Sequence, residues 1–312
     1  MTGAAGMIGR KLTQRLAREK AGELTLHDVA PFDGATAVSD LSAPGEAEKL
    51  VASRPELVFH LAAVVSGEAE ADFDKGYRVN LEGTQRLFAA IRKENYRPRV
   101  VFTSSIAVFG APFPEAIDDE FLSAPLTSYG TQKAIGELLL SDYSRRGFMD
   151  GIGLRLPTIC VRPGKPNKAA SGFFSGIVRE PLAGQEAVLP VPETVRHWFA
   201  SPRAAVGFLL HSSKIDTERL GARRNLNMPG VSATVAEQID ALRKLAGDKV
   251  AQRIRREPDP AIMRIVAGWP RNFDARRAAA LGFRADASFE EIIRIHIEDE
   301  LQKTPQPRPG SA

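Results

Sequence analysis

The sequence predicts an α/β fold in which a doubly wound parallel sheet is covered by helices on both faces. Three observations lead to this prediction. The apolar runs at 57–63 and 99–105 are continuous rather than alternating, which is typical of parallel strands buried on both faces. Segments with helical spacing alternate with such runs along the first half of the chain. A glycine-rich turn at 2–9 opens the first of these helices.

The turn reads Thr-Gly-Ala-Ala-Gly-Met-Ile-Gly, with apolar positions at helical spacing after it. A helix N-terminus offers free N–H groups and a positive dipole end, which suit a pyrophosphate. Asp28 follows Gly9 by 19 residues, close to the ~20 expected for the carboxylate that binds the adenosine ribose of a dinucleotide. An ordinary loop is the alternative for the glycines alone, but the acid favours a dinucleotide-binding Rossmann domain.

The first strand of this domain is missing from the sequence as given. Such a turn normally follows a buried strand at the centre of the sheet, whereas only Met1 and Thr2 precede Gly3. We therefore expect the natural product to begin several residues earlier with an apolar strand. N-terminal sequencing of native protein tests this expectation.

The remaining elements follow in order. Asp40 and Leu41 form a loop pair, in which Asp40 either approaches the adenine amino group or is a plain loop acid. The strand at 57–63 ends in Leu61, Ala62 and Ala63, and the two small alanines let a dinucleotide pass close by. Further helices are predicted at 45–53, 71–94, 171–182, 202–213, 234–245, 273–281 and 288–301, with strands at 23–28, 151–158 and 187–190.

The domain organisation follows from this order. Residues 1–160 are predicted to form the NAD-binding Rossmann domain. Residues 161–303 are predicted to form mainly a small C-terminal substrate-binding lobe, with some segments returning to the Rossmann sheet. The Pro-rich tail at 304–312 is predicted to be disordered.

A second cluster carries the candidate chemistry. Tyr129 and Lys133 are four residues apart, so they share one helix face, and the strand before them ends in Ser104 and Ser105. A lysine ammonium beside a tyrosine stabilises its phenolate, so we expect the pKa of Tyr129 to fall from ~10 towards neutrality. The pair is then a general base that can take a proton from an alcohol.

Composition excludes several classes of function. The net charge is +4, but the basic residues are scattered, so no nucleic-acid partner is predicted. The single cysteine, Cys160, fits a reducing compartment, and no apolar run is long enough to span a membrane. We therefore expect a cytoplasmic protein without a membrane partner. None of the five histidines has metal-ligand spacing, so no metal is predicted.

Taken together, the motifs resemble the extended short-chain dehydrogenases/reductases, which are NAD-dependent epimerase/dehydratase-like. Those that match are Thr2-Gly3-x-x-Gly6-x-x-Gly9, Asp28, Asp40-Leu41, His60-Leu61-Ala62-Ala63, Asn80, Thr103-Ser104-Ser105 with Val108-Phe109-Gly110, and Tyr129-x-x-x-Lys133. They span the first half of the chain in the family's order.

The resemblance implies a role for each matching residue. Tyr129 is the proton acceptor, Lys133 holds the nicotinamide ribose, Ser105 positions the reacting hydroxyl and Asn80 assists a proton relay. Asp28 favours NAD, because a 2′-phosphate would meet its carboxylate. The implied cofactor-binding residues are Gly3, Gly6, Met7, Ile8, Gly9, Asp28, Asp40, Leu41, Leu61, Ala62, Ala63, Tyr129 and Lys133.

The departures from the family pattern concern the substrate. Sugar-nucleotide epimerases commonly carry an asparagine where this chain has Thr158, and dehydratases carry Thr-Asp-Glu where it has Ser105-Ile106-Ala107. The segment 154–191 instead resembles the D-erythronate dehydrogenase group, which oxidises a four-carbon sugar acid to its 2-keto acid with NAD. The alternatives are an NDP-sugar epimerase, a uronate dehydrogenase and a non-catalytic NAD-sensing protein.

A small sugar acid needs a cation for its carboxylate and partners for its hydroxyl groups. The loop at 162–168 supplies Arg162, Lys165 and Lys168. The uronate dehydrogenases, which this loop resembles in its placement, have an arginine near the position of Lys168, so the identity of the acid is left open. The candidate substrate-binding residues are Ser66, Ser105, Thr158, Arg162, Lys168 and Arg196, with Asn167 and His197 beside them. The resemblance also implies a homodimer through the helices at 71–94 and 128–147.

Overall fold

The computed structural model describes residues 1–164 and 171–302. Its eleven strands within these ranges are β1 (His27–Asp28), β2 (Ala37–Val38), β3 (Leu57–His60), β4 (Arg99–Ser105), β5 (Asp150–Leu156), β6 (Thr158–Ile159), β7 (Ala187–Leu189), β8 (Arg196–Ala200), β9 (Asn225–Asn227), β10 (Val231–Thr234) and β11 (Ile254–Arg256).

The helices surround these strands. The α-helices of the described residues are α1 (Met7–Arg18), α2 (Glu46–Val51), α3 (Ser66–Ala71), α4 (Phe73–Gly76), α5 (Gly83–Glu94), α6 (Ser128–Arg145), α7 (Gly172–Leu182), α8 (Pro202–Ser212), α9 (Val235–Ala246), α10 (Asp248–Ala251), α11 (Pro260–Ala267), α12 (Arg276–Ala280) and α13 (Phe289–His296). Short 3₁₀ turns lie at Ile106–Val108 and Thr217–Leu220, and π-helical turns at Tyr77–Glu82 and Ile297–Leu301. None of these helices is long and apolar enough to cross a membrane.

The main sheet is parallel, as predicted. β3, β4, β5 and β9 pair in that order, and β1 pairs with β2. Thr2 lies between the two groups: its N–H donates to the Phe59 carbonyl at 2.9 Å, and the His27 N–H donates to the Met1 carbonyl at 2.9 Å. The first two residues thus join the groups into the order β2-β1-Thr2-β3-β4-β5-β9, and the doubly wound α/β fold is confirmed.

The C-terminal part forms a second core. β8 pairs with β6 and β10, and β7 pairs with β11. Helices α7, α9 and α13 pack around these strands through Phe174, Ile239 and Ile292. Leu226 on β9 and Phe208 on α8 pack instead with Leu12 of α1 and Phe59 of β3. The C-terminal segments therefore contribute to both cores, while the domain boundary at 160 stays a prediction.

Two predicted helices differ from the structure. The helix at 71–94 begins two residues later, at Phe73, because the Asp72 carboxylate accepts from the Lys75 N–H at 3.0 Å and caps it. The helix at 273–281 is wrong for its first residues, because Phe273 forms a parallel bridge with Ile117 and only α12 is helical. Tertiary pairing decided the second case, and short-range spacing cannot show it.

A capping box fixes the start of α9. The Thr234 hydroxyl accepts from the Glu237 N–H at 3.1 Å, and the Glu237 carboxylate accepts from the Thr234 N–H at 2.6 Å. The predicted strand at 23–28 is shorter in the structure, where only His27 and Asp28 are extended and paired. The predicted tail at 304–312 lies outside the described residues.

Candidate active site

The glycines of the first turn serve two purposes. Gly3 has φ +75°, and a Cβ there would lie 2.5 Å from the Ala62 nitrogen. A Cβ at Gly9 would lie 2.4 Å from the Gly3 carbonyl oxygen. These two glycines therefore let the turn pack against the end of β3. A Cβ at Gly6 has only the Gly3 oxygen nearby, at 3.3 Å, so Gly6 keeps the outer face of the turn open.

The N-terminus of α1 fits a dinucleotide pyrophosphate. Its N-cap, Gly6, makes no side-chain cap, and no acidic residue lies in its first turn, where Met7, Ile8 and Gly9 present their backbone. Asp28 ends β1 beside this turn, and its carboxylate accepts from the Ala5 N–H at 2.9 Å. The positive end of the helix and the carboxylate that is predicted to bind the ribose thus lie together, and such a donor and acceptor set fits NAD.

The adenine-side role of Asp40 and Leu41 stays a prediction, and the structure shows only their own neighbours. The Asp40 carboxylate accepts from the Ser42 N–H at 2.9 Å and pairs with Arg78, so its position is fixed by its own neighbours. Leu41 is buried. Leu61, Ala62 and Ala63 follow β3 and are partly buried next to the glycine turn.

A buried polar chain that the motifs did not reveal lies beneath the turn. Thr2 Oγ1 lies 2.7 Å from His60 Nδ1, and His60 Nε2 lies 2.9 Å from Thr84 Oγ1. The Thr84 hydroxyl donates to the Asn80 carbonyl at 2.7 Å, so Thr84 Oγ1 accepts from His60 Nε2–H. Burial lowers the pKa of His60 to about 3, which keeps its ring neutral.

Asn80 ties this chain to α6. Its side-chain oxygen accepts from the Val64 N–H at 2.8 Å, and its amide donates to Gln132 Oε1 at 2.7 Å. These contacts hold the segment after β3 against the helix that carries Tyr129. The structure thus places Asn80 as a support of the site, and the proton relay assigned to it by resemblance stays a prediction.

Tyr129, Lys133 and Ser105 meet at the carboxyl end of β4. Thr127 caps α6 by accepting from the Gly130 N–H at 3.0 Å, which sets the helix start just before Tyr129. Lys133 Nζ donates to the Thr103 carbonyl at 2.8 Å and lies 5.8 Å from the centre of the Tyr129 ring. Ser105 is the last residue of β4, and its hydroxyl interacts with the phenol.

The expected direction of the Tyr129 pKa is wrong for this structure. Burial raises the pKa of Tyr129 to about 12, and the hydrogen bond from Ser105 only partly offsets this. Burial also lowers the pKa of Lys133 to about 8, against the opposing effect of Glu137. Spacing along the helix predicted that the two side chains are neighbours, but it could not predict that burial raises the pKa of Tyr129.

Glu137, one turn beyond Lys133, is a further residue that the motifs missed. It is buried and pairs with Arg155 of β5 at 2.7 Å, while the Ser104 hydroxyl donates to its carboxylate at 2.5 Å. The Arg155 guanidinium also lies 4.8 Å from the centre of the Phe109 ring. This buried pair joins α6 to β4 and β5 directly behind the Tyr–Lys pair.

The candidate substrate residues lie in more than one place. Thr158 lies two residues beyond Leu156, which pairs with Ser105 at the ends of β5 and β4, and its Oγ1 lies 2.7 Å from His197 Nε2. Ser66 begins α3 and is partly buried. Arg162 is partly buried, and the Arg179 guanidinium donates to its carbonyl at 2.6 Å. Lys165, Asn167 and Lys168 lie outside the described residues.

Arg196 lies in a different setting from Thr158. Its guanidinium donates to the Ser232 carbonyl at 3.2 Å and pairs with Glu237 at 3.3 Å. It lines a cleft of about 720 Å³ with Arg271, Asn272 and residues 111–115. Among residues 1–164 and 171–302, no group of three or more His, Cys, Asp or Glu side chains could hold a metal ion.

An open helix N-terminus and a Tyr–Lys pair along one edge of a parallel sheet define a nicotinamide-dinucleotide-dependent protein of the Rossmann class. The comparison with known families is more specific. The chain belongs to the NAD dependent epimerase/dehydratase family, whose model matches residues 1–209. The prediction of NAD as the cofactor and the family resemblance are thereby confirmed.

Three similar proteins bear on the activity. A D-erythronate dehydrogenase from Cupriavidus necator is 50% identical over 96% of this chain and 97% of its own length. A D-erythronate dehydrogenase from Haemophilus influenzae is 41% identical over 96% of this chain and 99% of its own. A solved structure, described as a nucleoside-diphosphate-sugar epimerase from Agrobacterium tumefaciens, is 67% identical, covers 97% of this chain and 94% of that one, and superposes with a TM-score of 0.91.

Proposed function

We propose that this protein oxidises a small sugar acid with NAD, and that its substrate is D-erythronate, converted to 2-dehydro-D-erythronate. One observation carries the proposal above the others: two D-erythronate dehydrogenases match almost the full length of the chain, at 50% and 41% identity. The arrangement of Tyr129, Lys133 and Ser105 at one strand end supplies a chemistry that fits this reaction.

Tyr129 is the general base in this proposal. Its phenolate accepts the proton of the C2 hydroxyl, while Ser105, at the end of β4, holds that hydroxyl in place. NAD supplies the acceptor for the hydride that leaves C2, so that one alcohol and one oxidised cofactor give one ketone, one reduced cofactor and one proton.

Lys133 and the oxidised nicotinamide must together stabilise the phenolate. Burial alone raises the pKa of Tyr129 to about 12, so positive charge near the phenol is what makes the base usable at neutral pH. Lys133, held by the Thr103 carbonyl within 5.8 Å of the ring centre, supplies one such charge. Its own pKa of about 8 leaves it protonated at neutral pH.

The cofactor is held by the turn and the strand ends. The backbone from Gly6 to Gly9 binds the pyrophosphate, Asp28 binds the adenosine ribose and Asp40 and Leu41 lie on the adenine side. Leu61, Ala62 and Ala63 border the cofactor after β3. The open face at Gly6 and the carboxylate of Asp28 beside Ala5 support this assignment.

The carboxylate of the substrate is assigned to Arg162 and Lys168. Burial and, less strongly, the neighbouring Arg179 guanidinium lower the pKa of Arg162, so a bound anion would stabilise the charged form of this side chain. Within the described residues, no Asp or Glu oxygen lies within 4 Å of the Arg162 guanidinium nitrogens. Ser66 and Thr158 are assigned to hydroxyl groups of the substrate.

An NDP-sugar epimerase is the second candidate, and a specific observation favours it. The 67% identical solved structure is described as a nucleoside-diphosphate-sugar epimerase. The cleft that contains Arg196 and Arg271 is also large enough for more than a four-carbon acid. Thr158 disfavours the epimerase, because epimerases of this family commonly carry an asparagine at that position. A uronate dehydrogenase is the third candidate, because the substrate panel below also decides which acid the cations of this site bind.

We further propose a homodimer through α5 and α6, in the cytoplasm. On α6, Leu138 leaves 71% of its surface exposed, and Leu126, just before this helix, leaves 68% exposed. Such exposed leucines near a helix pair support a contact between two copies. The oligomeric state is measured directly by sedimentation equilibrium.

The test is a substrate panel of C4 to C6 aldonic and uronic acids, assayed by NADH formation, together with a UDP-sugar assay without added cofactor. We expect net NADH formation with D-erythronate at the highest kcat/KM of the panel. Interconversion of UDP-sugars without net NADH identifies the epimerase instead. A higher kcat/KM on a hexuronate identifies the uronate dehydrogenase.

A further inference from the structure

The candidate site contains a histidine that the reaction does not use. His197 is 2% exposed and lies on β8, 39 residues after Thr158, whose hydroxyl it contacts at 2.7 Å. Its other ring nitrogen, Nδ1, lies 2.9 Å from the Pro270 carbonyl oxygen. Phe174 stacks on the ring at 5.1 Å with an interplanar angle of 4°, and Trp269 packs against it at 5.4 Å.

The two hydrogen bonds fix where the protons lie. A carbonyl oxygen can only accept, so His197 Nδ1 carries a proton and donates to Pro270. Burial lowers the pKa of His197 to about 4, so the ring carries only one proton at neutral pH. Nε2 is then an acceptor, and the Thr158 hydroxyl must donate its single hydrogen to it.

The consequence falls on the free side of Thr158. With its hydrogen committed to His197, Oγ1 has only lone pairs left for any further partner. Thr158 is partly exposed and lies two residues beyond Leu156, which pairs with Ser105 across β4 and β5. An acceptor of fixed orientation therefore lies at the strand edge that also carries Ser105.

We infer that His197 is a positioning residue, which fixes the Thr158 hydroxyl as a hydrogen-bond acceptor and so makes the site select a substrate that presents a hydroxyl group there. The inference rests on the proposed function. For a trihydroxy acid the group is a hydroxyl that does not react, on C3 or C4. A substrate with a hydrogen or a carbonyl at that carbon leaves the acceptor without a partner, which weakens its binding.

The test compares D-erythronate with its 3-deoxy and 4-deoxy analogues in the wild type and three variants. In the wild type, kcat/KM for one analogue is expected to fall below that for D-erythronate by about 2- to 12-fold, the range for one neutral hydrogen bond. His197→Phe keeps the stacked ring but releases Thr158, so this ratio is expected to approach one, mainly through KM for D-erythronate. The KM for NAD is expected to stay constant.

Two further variants separate orientation from packing. His197→Gln supplies one amide acceptor for Thr158 and one amide donor for Pro270, so it is expected to restore part of the discrimination. His211→Phe is the matched control, because His211 Nε2 also contacts a carbonyl, that of Leu281 at 2.8 Å, but lies away from Thr158. Discrimination that survives unchanged in His197→Phe, or that is lost equally in His211→Phe, overturns the inference.

A readout without substrate separates this inference from the proposed function. The ¹⁵N shifts of the His197 ring at neutral pH are expected to show a protonated Nδ1 and an unprotonated Nε2. A protonated Nε2 overturns the inference even if D-erythronate is the substrate. If no sugar acid is oxidised while the ring has the expected tautomer, the proposed function fails and the fixed orientation of Thr158 stands.

Discussion

The cofactor side and the substrate side of this site are built in different ways. On the cofactor side, which comprises the glycine turn, Asp28 and the end of β3, most contacts involve backbone atoms, and the glycines that shape the turn lie within seven residues of one another. On the substrate side, Thr158 meets His197 from 39 residues away, and His197 meets Pro270 from 73 residues away. The first side depends on local turn geometry, whereas the second depends on how the C-terminal lobe packs against the sheet.

This difference explains what the sequence could predict. The glycine spacing and the Tyr129–Lys133 pair are local patterns, and the structure brings their members together. The Thr158–His197 contact and the Glu137–Arg155 pair have no local signal, because strand pairing brings the first two together and the packing of α6 on β5 brings the second two together. The Tyr129 pKa was predicted in the wrong direction for a related reason, since burial depends on residues from the whole fold.

The fold shows the same division. The parallel direction of β3, β4 and β5 follows from continuous apolar runs separated by helices, and it was predicted. The bridge between Ile117 and Phe273 was not, and it removed the first residues of a predicted helix. The strands of the C-terminal lobe have only two to five residues each, too few for a period to be visible.

The largest expected effect tests the base, which lies where the two sides meet. Tyr129→Phe removes the proton acceptor and is expected to lower kcat by about 10²–10⁴-fold, the range for a positioned acid or base. Tyr143→Phe on the same helix is the control, because the Tyr143 ring packs on Phe88 and Phe148 away from the site. Full activity of Tyr129→Phe would refute the proposed mechanism.

The next effect concerns the support behind both sides. Glu137→Gln leaves the buried Arg155 guanidinium without a carboxylate and is expected to lower the free energy of unfolding by about 3–5 kcal/mol, as measured in urea. Glu290→Gln, which breaks an exposed pair with Lys244, is expected to cost ~1 kcal/mol or less. Equal losses in the two variants would show that burial of the Arg155 pair has no special effect.

A third effect is confined to the cofactor side. Asp28→Asn weakens a charge-assisted bond to the ribose and is expected to raise KM for NAD by about 10- to 100-fold, with KM for D-erythronate unchanged. The variant is also expected to narrow the preference for NAD over NADP. Asp33→Asn, at an exposed position of the same loop, serves as the control. A matching rise in KM for the sugar acid would contradict the separation of the two sides.

The smallest effect is the pH dependence of the free energy of unfolding that the buried His60 causes. The pKa of His60 falls from its ordinary 6.5 to about 3 in the folded protein, so below pH 6.5 the unfolded chain binds a proton that the folded protein does not. Stability is therefore lost as pH falls from 6.5 towards 3, by ~2 kcal/mol at pH 5 for this residue.

His60→Gln is expected to reduce the difference in unfolding free energy between pH 7.5 and pH 5 by that amount. The same comparison between pH 7.5 and pH 9 is the internal control, because His60 does not titrate there. An unchanged acid-side difference would show that His60 is already protonated in the folded protein or does not titrate on unfolding.

The central claim is that the Tyr129 phenolate takes the proton from the substrate hydroxyl. Its most direct test is the pH profile of kcat/KM for D-erythronate with NAD, measured for the wild type and for the residual activity of Tyr129→Phe. The wild-type rate is expected to fall on the acid side as Tyr129 becomes protonated, and the residual rate of the variant to lack that fall. The same acid-side fall in the variant would assign the base to another group and contradict the account.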